Sequence, residues 1–443
     1  MSDPFDASLP ADPWAARDAA VVWHGFTQMS SYRSTAPVTV ERAEGRELID
    51  VHGRRYFDAI SSLWVTTLGH HVPELDQAVI DQLGRVAHAT LLGNGSRAAI
   101  EFAEALAAVV PVVDPHVLFA SDGAVAVEQA LKVAFQYWVN RAEPGHDRFL
   151  ALGDGYHGDT IGALSLGDGG FGTALFDPLR FPVIRTPGYA VPDWATKLIG
   201  SIEANASALA AVVIEPLVQG ASGMLVAEPS DLARVGEACR SLGVLLICDE
   251  VATGFGRTGR LFASEWAGPD FHPDILCLGK GITGGYLPLS ATVASGTVFE
   301  AFDGPDLGET TFYHGHSYGG NALACAVALR HLQLIGEWDV LATVTATAAH
   351  LATRLADSVA VLPGVSAIRQ RGLMVGVELD PPPGAVRWGR RVCAGAVGRG
   401  VLLRPLGDVV VVMPPLTTTG EEVDRVVDAL ADSITAVAAE DGR

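Results

Sequence analysis

The middle of the chain alternates short apolar runs with longer amphipathic segments. The apolar runs are HVLFA (116–120), RFLAL (148–152), AAVVIEP (210–216), GVLLICDE (243–250) and DILCLGK (274–280). Strands that are separated by helical segments predict βαβ units and a mostly parallel sheet. We therefore expect a large α/β domain in this part of the chain.

The pattern changes towards both ends of the chain. From about residue 38, short alternating runs with a turn at 51–54 predict antiparallel strands. A long alanine-rich helical segment (338–358) leads to GLMVGVELD (372–380), another helix and VLLRPLGDVVVVMPP (401–415). Both ends together predict a small α+β domain. The expected segments are 1–73 (N-terminal segment and part of the small domain), 74–335 (large domain) and 336–443 (C-terminal small domain).

Charge and composition exclude several classes of partner. The formal net charge of −21 and the pI of about 4.9 argue against nucleic acid or an anionic membrane as partner. The sequence shows neither a signal peptide nor an apolar run of about 18 residues that could span a membrane. The 5 cysteines include no C-x-x-C motif, which favours buried thiols and a cytoplasmic location.

Lys280 is the first candidate for chemistry, because this chain contains few lysines. Lys132, Lys197 and Lys280 are the only ones among 30 basic residues. A buried ε-amine can lose its proton and attack a carbonyl, whereas arginine stays charged. An ordinary surface lysine is the alternative.

Asp249 ends the strand that precedes the Lys280 strand. Ligands of open parallel sheets bind beyond the carboxyl ends of the strands, where both residues would meet. The two could form a simple ion pair. Alternatively they could serve pyridoxal phosphate (PLP), which needs a lysine for a Schiff base and an acid at its ring nitrogen.

A phosphate site is suggested where FASDGAVAVEQALKVAFQYW (119–138) passes from a strand into a helix. The N–H groups of Gly123 and Ala124 would face an anion there, although an ordinary helix cap explains the same pattern. Tyr156 in the next segment could cover a cofactor ring or simply pack in a loop.

Two arginines and a histidine pair are further candidates. Arg257 and Arg404 could each bind a substrate carboxylate with the guanidinium fork, or form a structural ion pair. His314 and His316 form an H-x-H motif, but no third ligand is evident, so we expect no metal.

Together and in this order, these segments resemble the class III (subgroup II) PLP-dependent aminotransferases, from about Val22 to Pro415. The run ICDEVATGFGRTG followed by LCLGKGITGG is similar to the cofactor signature of that family. The resemblance implies fold type I, with a large mostly parallel sheet domain plus a small α+β domain. It implies PLP as cofactor, with Lys280 as the Schiff-base lysine and Asp249 as the partner of the pyridinium nitrogen.

The resemblance also assigns the remaining cofactor contacts. It implies that Gly123 and Ala124 bind the phosphate and that Tyr156 stacks on the ring. Gly315, His316 and Ser317 would reach the phosphate of a second subunit, which implies a homodimer with shared active sites.

Several segments are similar to one branch of the family, the diaminopelargonate aminotransferases of biotin synthesis. They are WHGFTQM (23–29), ISSLW (60–64), AFQYW (134–138), GYHGDTIGALS (155–165), EPLVQGASGM (215–224), FYHGHSYGGN (312–321) and RPLGD (404–408). Such enzymes convert 8-amino-7-oxononanoate into 7,8-diaminononanoate, usually with S-adenosylmethionine as amino donor. The resemblance implies that Asp159 meets the amine of the keto substrate, that Arg404 meets its carboxylate, and that Arg257 lines the same pocket.

The chain departs from this branch at three places. Leu63-Trp64 stands where paired tryptophans are common, and Phe26 stands where tyrosine is common. A lysine-using branch carries an aliphatic residue and phenylalanine at these places, so both donors stay open. Asp122 replaces a frequent serine beside the phosphate, which is unfavourable unless the carboxylate points away, for instance as a helix cap.

Three other functions are compatible with the cofactor residues. One is an aminotransferase for ω-amino acids such as ornithine, 4-aminobutyrate or β-alanine; Ala221 after Gln219-Gly220 weighs against the first two, whose enzymes usually carry an acidic residue there. Another is a PLP decarboxylase or racemase. A third is a dimer without activity, which the intact Lys280 and Asp249 argue against.

Overall fold

The structure is a computed structural model that describes residues 13–32, 38–168 and 173–442. Its strands are β1 (Val40–Glu44), β2 (Glu47–Asp50), β3 (Arg55–Asp58), β4 (His116–Ala120), β5 (Arg148–Leu152), β6 (Ile184–Thr186), β7 (Leu209–Ile214), β8 (Val218–Gln219), β9 (Leu225–Val226), β10 (Leu245–Asp249), β11 (Ile275–Leu278), β12 (Ser290–Ala294), β13 (Val365–Arg371), β14 (Met374–Leu379), β15 (Val401–Leu402), β16 (Arg404–Leu406) and β17 (Val409–Val412).

Helices cover the faces and edges of these strands. They are α1 (Pro13–Val21), α2 (Met29–Tyr32), α3 (Ser61–Trp64), α4 (Pro73–Leu83), α5 (Arg97–Ala107), α6 (Gly123–Asn140), α7 (Ile161–Leu166), α8 (Trp194–Asn205), α9 (Pro229–Leu242), α10 (Gly296–Glu300), α11 (Ala322–Glu337), α12 (Val340–Ser358), α13 (Trp388–Gly398) and α14 (Gly420–Glu440). Short 3₁₀ segments are Thr173–Leu179, Ala206–Ala208, Ala263–Ala267 and Lys280–Thr283.

The largest sheet has the strand order β4-β12-β11-β10-β7-β5-β6. Strand β12 runs antiparallel to both of its neighbours, and the neighbours from β11 to β6 pair in parallel. Every residue of β7 is buried, as expected for a parallel strand with both faces covered. The predicted α/β class with a large mostly parallel sheet is confirmed.

The apolar runs predicted these strands well. HVLFA and RFLAL coincide with β4 and β5, and the other three runs differ from β7, β10 and β11 by one or two residues at their ends. Strand β12, SATVA, was not predicted, because its run of small residues carries no strong strand signal.

Strands from both ends of the chain share one sheet. Its order is β1-β2-β3-β15, with β15 parallel to β3 and Val401 opposite Phe57. The predicted turn at 51–54 joins the antiparallel strands β2 and β3. A separate antiparallel sheet has the order β13-β14-β17-β16. The domain boundaries at residues 73 and 335 stay a prediction.

The cysteines lie in the interior. All five are free thiols and buried, as the sequence predicted. Within the described ranges, no helix is both long and apolar enough to cross a bilayer.

Candidate active site

One cavity of about 440 Å³ opens beyond the carboxyl ends of β7 and β10 and beside the start of α6. It is lined by many of the predicted cofactor and substrate residues, namely Trp64, Gly123, Ala124, Tyr156, Asp159, Asp249 and Lys280. The sheet explains this meeting, because β10 and β11 are parallel neighbours with Asp249 opposite Cys277. The two strand ends therefore present Asp249 and Lys280 at the same edge.

Lys280 lies in a tight turn directly after β11. It starts the 3₁₀ segment with a φ of 42°, and its Nζ lies 4.9 Å from the centroid of the Trp64 ring. Burial lowers the pKa of the Lys280 amine, and the carboxylates of Asp249 and Glu215 offset part of that shift. A lowered pKa increases the fraction of the neutral amine, which is the nucleophilic form.

Asp249 is buried and held from two sides. Its Oδ1 accepts a hydrogen bond of 3.0 Å from the N–H of Val251, and its Oδ2 lies 2.7 Å from Nδ1 of His157. Burial alone would lower the pKa of His157, but the hydrogen bond and charge of Asp249 outweigh burial and raise it. His157 was not among the residues predicted from the sequence, although it directly follows Tyr156 in the segment GDGYHGDT.

Glu215 is a second residue of the cavity that was not predicted as a site residue from the sequence. It follows β7, is 6% exposed and lines the cavity. Its carboxylate accepts hydrogen bonds from the N–H groups of Tyr156 (3.0 Å) and Gly220 (3.2 Å). Burial raises its pKa to about 7, helped by the charge of Asp249 and opposed by His157. Glu215 thus ties two loops of the cavity together.

The predicted phosphate turn forms the first turn of α6. The carboxylate of Asp122 accepts a hydrogen bond of 3.1 Å from the N–H of Val125, so Asp122 caps the helix. A Cβ on Gly123 would lie 2.5 Å from Cγ1 of Val251, which leaves no room for a side chain. A helix N-terminus with closely packed glycine backbone suits an anion.

Tyr156 and Asp159 lie side by side at the cavity. The hydroxyl of Tyr156 donates a hydrogen bond of 3.0 Å to Oδ2 of Asp159. Burial and the nearby Asp159 carboxylate raise the pKa of Tyr156, which keeps the phenol protonated. Tyr156 is half-buried and Asp159 is exposed, so both can be reached from the cavity.

Arg257 and Arg404 lie in contrasting surroundings, and neither lines the cavity among the described residues. Arg257 is 1% exposed and donates hydrogen bonds to the carbonyls of Pro414 (2.6 Å) and Thr66 (3.0 Å). Burial lowers its pKa to about 9. The side chain of Arg404 on β16 is exposed and has no hydrogen bond or ion pair within the described part of the chain.

The other predicted contacts lie outside this cavity in the single chain. Phe26 and Leu63 are exposed by 57% and 46%. Gly315, His316 and Ser317 do not line the cavity as far as the structure describes it, and Nδ1 of His316 lies 3.4 Å from Oγ of Ser121. Their roles stay predictions.

His314 is paired with Lys132, whose Nζ lies 3.0 Å from its Nδ1. Among residues 13–32, 38–168 and 173–442 there is no cluster of His, Cys, Asp or Glu that could hold a metal ion.

These residues fit PLP. A lysine of lowered pKa, a buried acid and a glycine turn at a helix N-terminus surround one cavity. Residues 29–434 match the family model of class III aminotransferases. The chain belongs to the class III aminotransferases. Members of this family depend on PLP. The protein is therefore an aminotransferase that uses PLP as its cofactor.

Relatives of this aminotransferase are similar along nearly their whole length. An adenosylmethionine-8-amino-7-oxononanoate aminotransferase of Nitratidesulfovibrio vulgaris is 44% identical, over 95% of this chain and 81% of that protein. The enzyme of the same name from Aquifex aeolicus is 42% identical, over 93% of this chain and 95% of that protein.

Solved structures place the fold in the same family. The crystal structure of adenosylmethionine-8-amino-7-oxononanoate aminotransferase from Methanocaldococcus jannaschii has a TM-score of 0.91 at 36% identity, over 96% of this chain and 98% of that one. An ω transaminase of Pseudomonas jessenii in complex with PMP has a TM-score of 0.90 at 28% identity, over 97% of this chain and 99% of that one.

Proposed function

We propose that this aminotransferase converts 8-amino-7-oxononanoate into 7,8-diaminononanoate in biotin synthesis. The observation that carries the proposal is the shared name of its relatives. Those that are 40–44% identical and match over 93% or more of this chain are adenosylmethionine-8-amino-7-oxononanoate aminotransferases.

The residues of the cavity divide the chemistry between them. Bound PLP supplies an electrophilic aldehyde and a ring that withdraws electrons. Lys280 would hold that aldehyde and, once released, move a proton to and from the substrate carbon that bears the amino group. Asp249, backed by His157, would keep a proton on the ring nitrogen. Gly123 and Ala124 would hold the phosphate through their N–H groups.

Tyr156 and two charged residues complete the proposed site. Tyr156 would cover the ring of the cofactor. Asp159 would meet the amine of the keto substrate, which its exposure beside the cavity supports. Arg404 would meet the carboxylate, supported by its exposed position without a partner among the described residues. The buried contacts of Arg257 favour a structural role over contact with substrate.

The amino donor is either S-adenosylmethionine or lysine. The names of the relatives support S-adenosylmethionine, whereas Phe26 and Leu63 beside Trp64 resemble the lysine-using branch. Purified protein with PLP and 8-amino-7-oxononanoate is incubated with each donor, and 7,8-diaminononanoate is measured by mass spectrometry. We expect the diamine with one donor. Its absence with both, together with turnover of 4-aminobutyrate or β-alanine, would overturn the proposal.

We also propose a cytoplasmic homodimer with shared sites. The buried free thiols suit a reducing compartment. Gly315, His316 and Ser317 would complete the partner's phosphate site. Mixing inactive Lys280→Ala with an inactive His316→Ala variant should restore activity if the sites are shared, because mixed dimers then contain one intact site. A monomer in sedimentation, or no restored activity in a mixed dimer, would contradict this.

The second candidate is an aminotransferase for ω-amino acids or diamines, with pyruvate or 2-oxoglutarate as partner. The close fold of the Pseudomonas jessenii ω transaminase favours it, at lower identity than the relatives above. Ala221 lines the cavity at a position where ornithine and 4-aminobutyrate enzymes usually carry an acidic residue, which argues against those two substrates. Formation of 7,8-diaminononanoate, compared with turnover of 4-aminobutyrate or β-alanine, separates the two functions.

A further inference from the structure

The segment Ser61–Trp64 contains four consecutive residues with left-handed backbone and no glycine. Their φ angles are 49°, 51°, 85° and 71° in chain order. L-residues are disfavoured there, and runs of them persist only where the surrounding structure holds them. Such strain is often found at functional sites. The short segment α3 is therefore a left-handed turn, and contacts with the surrounding protein must hold it in place.

Asp58, at the end of β3, holds this turn. Its side chain is fully buried. Oδ1 accepts a hydrogen bond of 2.9 Å from the N–H of Ser62, and Oδ2 accepts one of 2.7 Å from the hydroxyl of Ser62. The Nε2 atom of His70 lies 2.9 Å from the same Oδ2. The hydroxyl of Ser61 adds a bond of 2.7 Å to the carbonyl of Met413.

The turn ends at Trp64, whose indole covers Lys280. The ring centroid lies 4.9 Å from Nζ of Lys280, and Trp64 is 6% exposed. The indole also packs closely against the loop that carries Gly220, because a Cβ on Gly220 would lie 3.2 Å from Cζ3 of Trp64. The indole is thus held by packing while it lies near the amine.

We propose that Asp58 is a positioning residue, which holds the left-handed turn Ser61–Trp64 so that the indole of Trp64 shields the amine of Lys280 from water. The inference rests on the proposed role of Lys280 in the aminotransferase reaction. Other charged groups that act on the amine are Asp249 and Glu215, which follow other strands of the sheet, and Arg257. The charge of Asp58 acts on Arg257, where it offsets part of the lowering of the Arg257 pKa by burial.

The test measures access to Lys280 without substrate. Full-length protein freed of cofactor is acylated briefly with acetic anhydride at fixed pH, and each lysine is quantified by peptide mass spectrometry. The chain offers its own references, because Lys132 and Lys197 are exposed. The readout is the ratio of Lys280 to Lys197 modification, which is independent of whether the proposed substrate is right.

Asp58→Ala removes both hydrogen bonds to Ser62 and is expected to raise this ratio at least about tenfold, since the loss of even one hydrogen bond to a charged group corresponds to roughly that factor. Asp58→Asn keeps an acceptor for the N–H of Ser62 and should change the ratio by less than about twofold. Adding Ser62→Gly to Asp58→Ala should restore part of the shielding, because glycine adopts positive φ without strain.

A double-mutant cycle separates positioning from general loosening. Trp64→Ala should raise the ratio by itself, and Asp58→Ala should then add nothing, because both act through one indole. Leu430→Ala, which leaves a cavity at a buried position of α14, should leave the ratio unchanged. An unchanged ratio in Asp58→Ala, or additive effects in the cycle, would overturn the proposal. If Asp58→Ala yields no folded protein, Asp58→Thr keeps one acceptor and should raise the ratio about threefold.

Discussion

The Nδ1 atom of His157 lies 2.7 Å from Oδ2 of Asp249, and both side chains are buried. The imidazole therefore fixes the acid that we propose at the ring nitrogen. His157→Leu should lower kcat by roughly 10–100-fold, since a hydrogen bond to a charged group is worth about 1.5–3 kcal/mol. His157→Asn places an amide near the position of Nδ1 and should lose less. Equal losses in steady-state assays of the two variants would contradict this role.

Asp122 caps α6 instead of disturbing the phosphate turn. Asp122→Ala should lower the free energy of unfolding by about 1 kcal/mol, because Val125 loses its capping acceptor. Asp122→Ser keeps a capping oxygen and should stay within a few tenths of a kcal/mol of the parent. Urea unfolding of the cofactor-free proteins measures both. If Asp122→Ala is as stable as the parent protein, the cap contributes nothing to stability.

Arg404 and Arg257 should respond differently to the same substitution. Arg404→Met should raise KM for the keto acid by roughly 10–100-fold, because a hydrogen bond to the charged carboxylate is lost. The stability of the protein should change little. Arg257→Met should destabilise the protein by about 2 kcal/mol or more, because it leaves the carbonyls of Thr66 and Pro414 unpaired. Steady-state kinetics and thermal unfolding of both variants test this prediction. A large KM effect in Arg257→Met and a large loss of stability in Arg404→Met would contradict it.

Glu250 should make stability depend on pH. Burial raises its pKa to about 7 from 4.5, although the N–H groups of Ala263 and Ser264 and the hydroxyl of Ser264 bond its carboxylate. The folded state thus binds a proton that the unfolded chain releases. This stabilisation is full below pH 4.5 and is lost as the pH rises to about 7.

Glu250→Gln removes that titration. Relative to the parent, the variant should gain roughly 3 kcal/mol of stability between pH 4.5 and 7, from about 1.4 kcal/mol per pKa unit. Glu237→Gln, at an exposed position of α9, is the control and should follow the parent. The midpoints of urea unfolding of the cofactor-free proteins, measured between pH 4.5 and 7, test this difference in stability. Parallel curves for Glu250→Gln and the parent would contradict the shift.

The residues at strand ends could be predicted from the sequence, because an apolar run fixes the strand and the residue after it must face the sheet edge. Asp249 and Lys280 were found in this way, as was the turn at Gly123. His157 was not, because its partner lies 92 residues away and only the fold brings them together.

Other features have no local signal in the sequence. The left-handed turn Ser61–Trp64 lacks the glycines that normally announce positive φ, since Asp58 and the surrounding packing hold it instead. Arg257 stands in the cofactor signature, and a motif alone cannot tell a guanidinium at a pocket from one that ties two backbone carbonyls inside the protein.

The absorbance spectrum of the holoenzyme after addition of 7,8-diaminononanoate, without any amino acceptor, tests the central claim most directly. The proposed product should convert bound PLP to pyridoxamine phosphate whichever donor is used in the forward reaction. Lys280→Arg keeps the charge but should lose this conversion by more than about 10⁴-fold, since it lacks both the nucleophile and the proton carrier. A spectrum unchanged by the diamine but converted by 4-aminobutyrate or β-alanine would contradict the account.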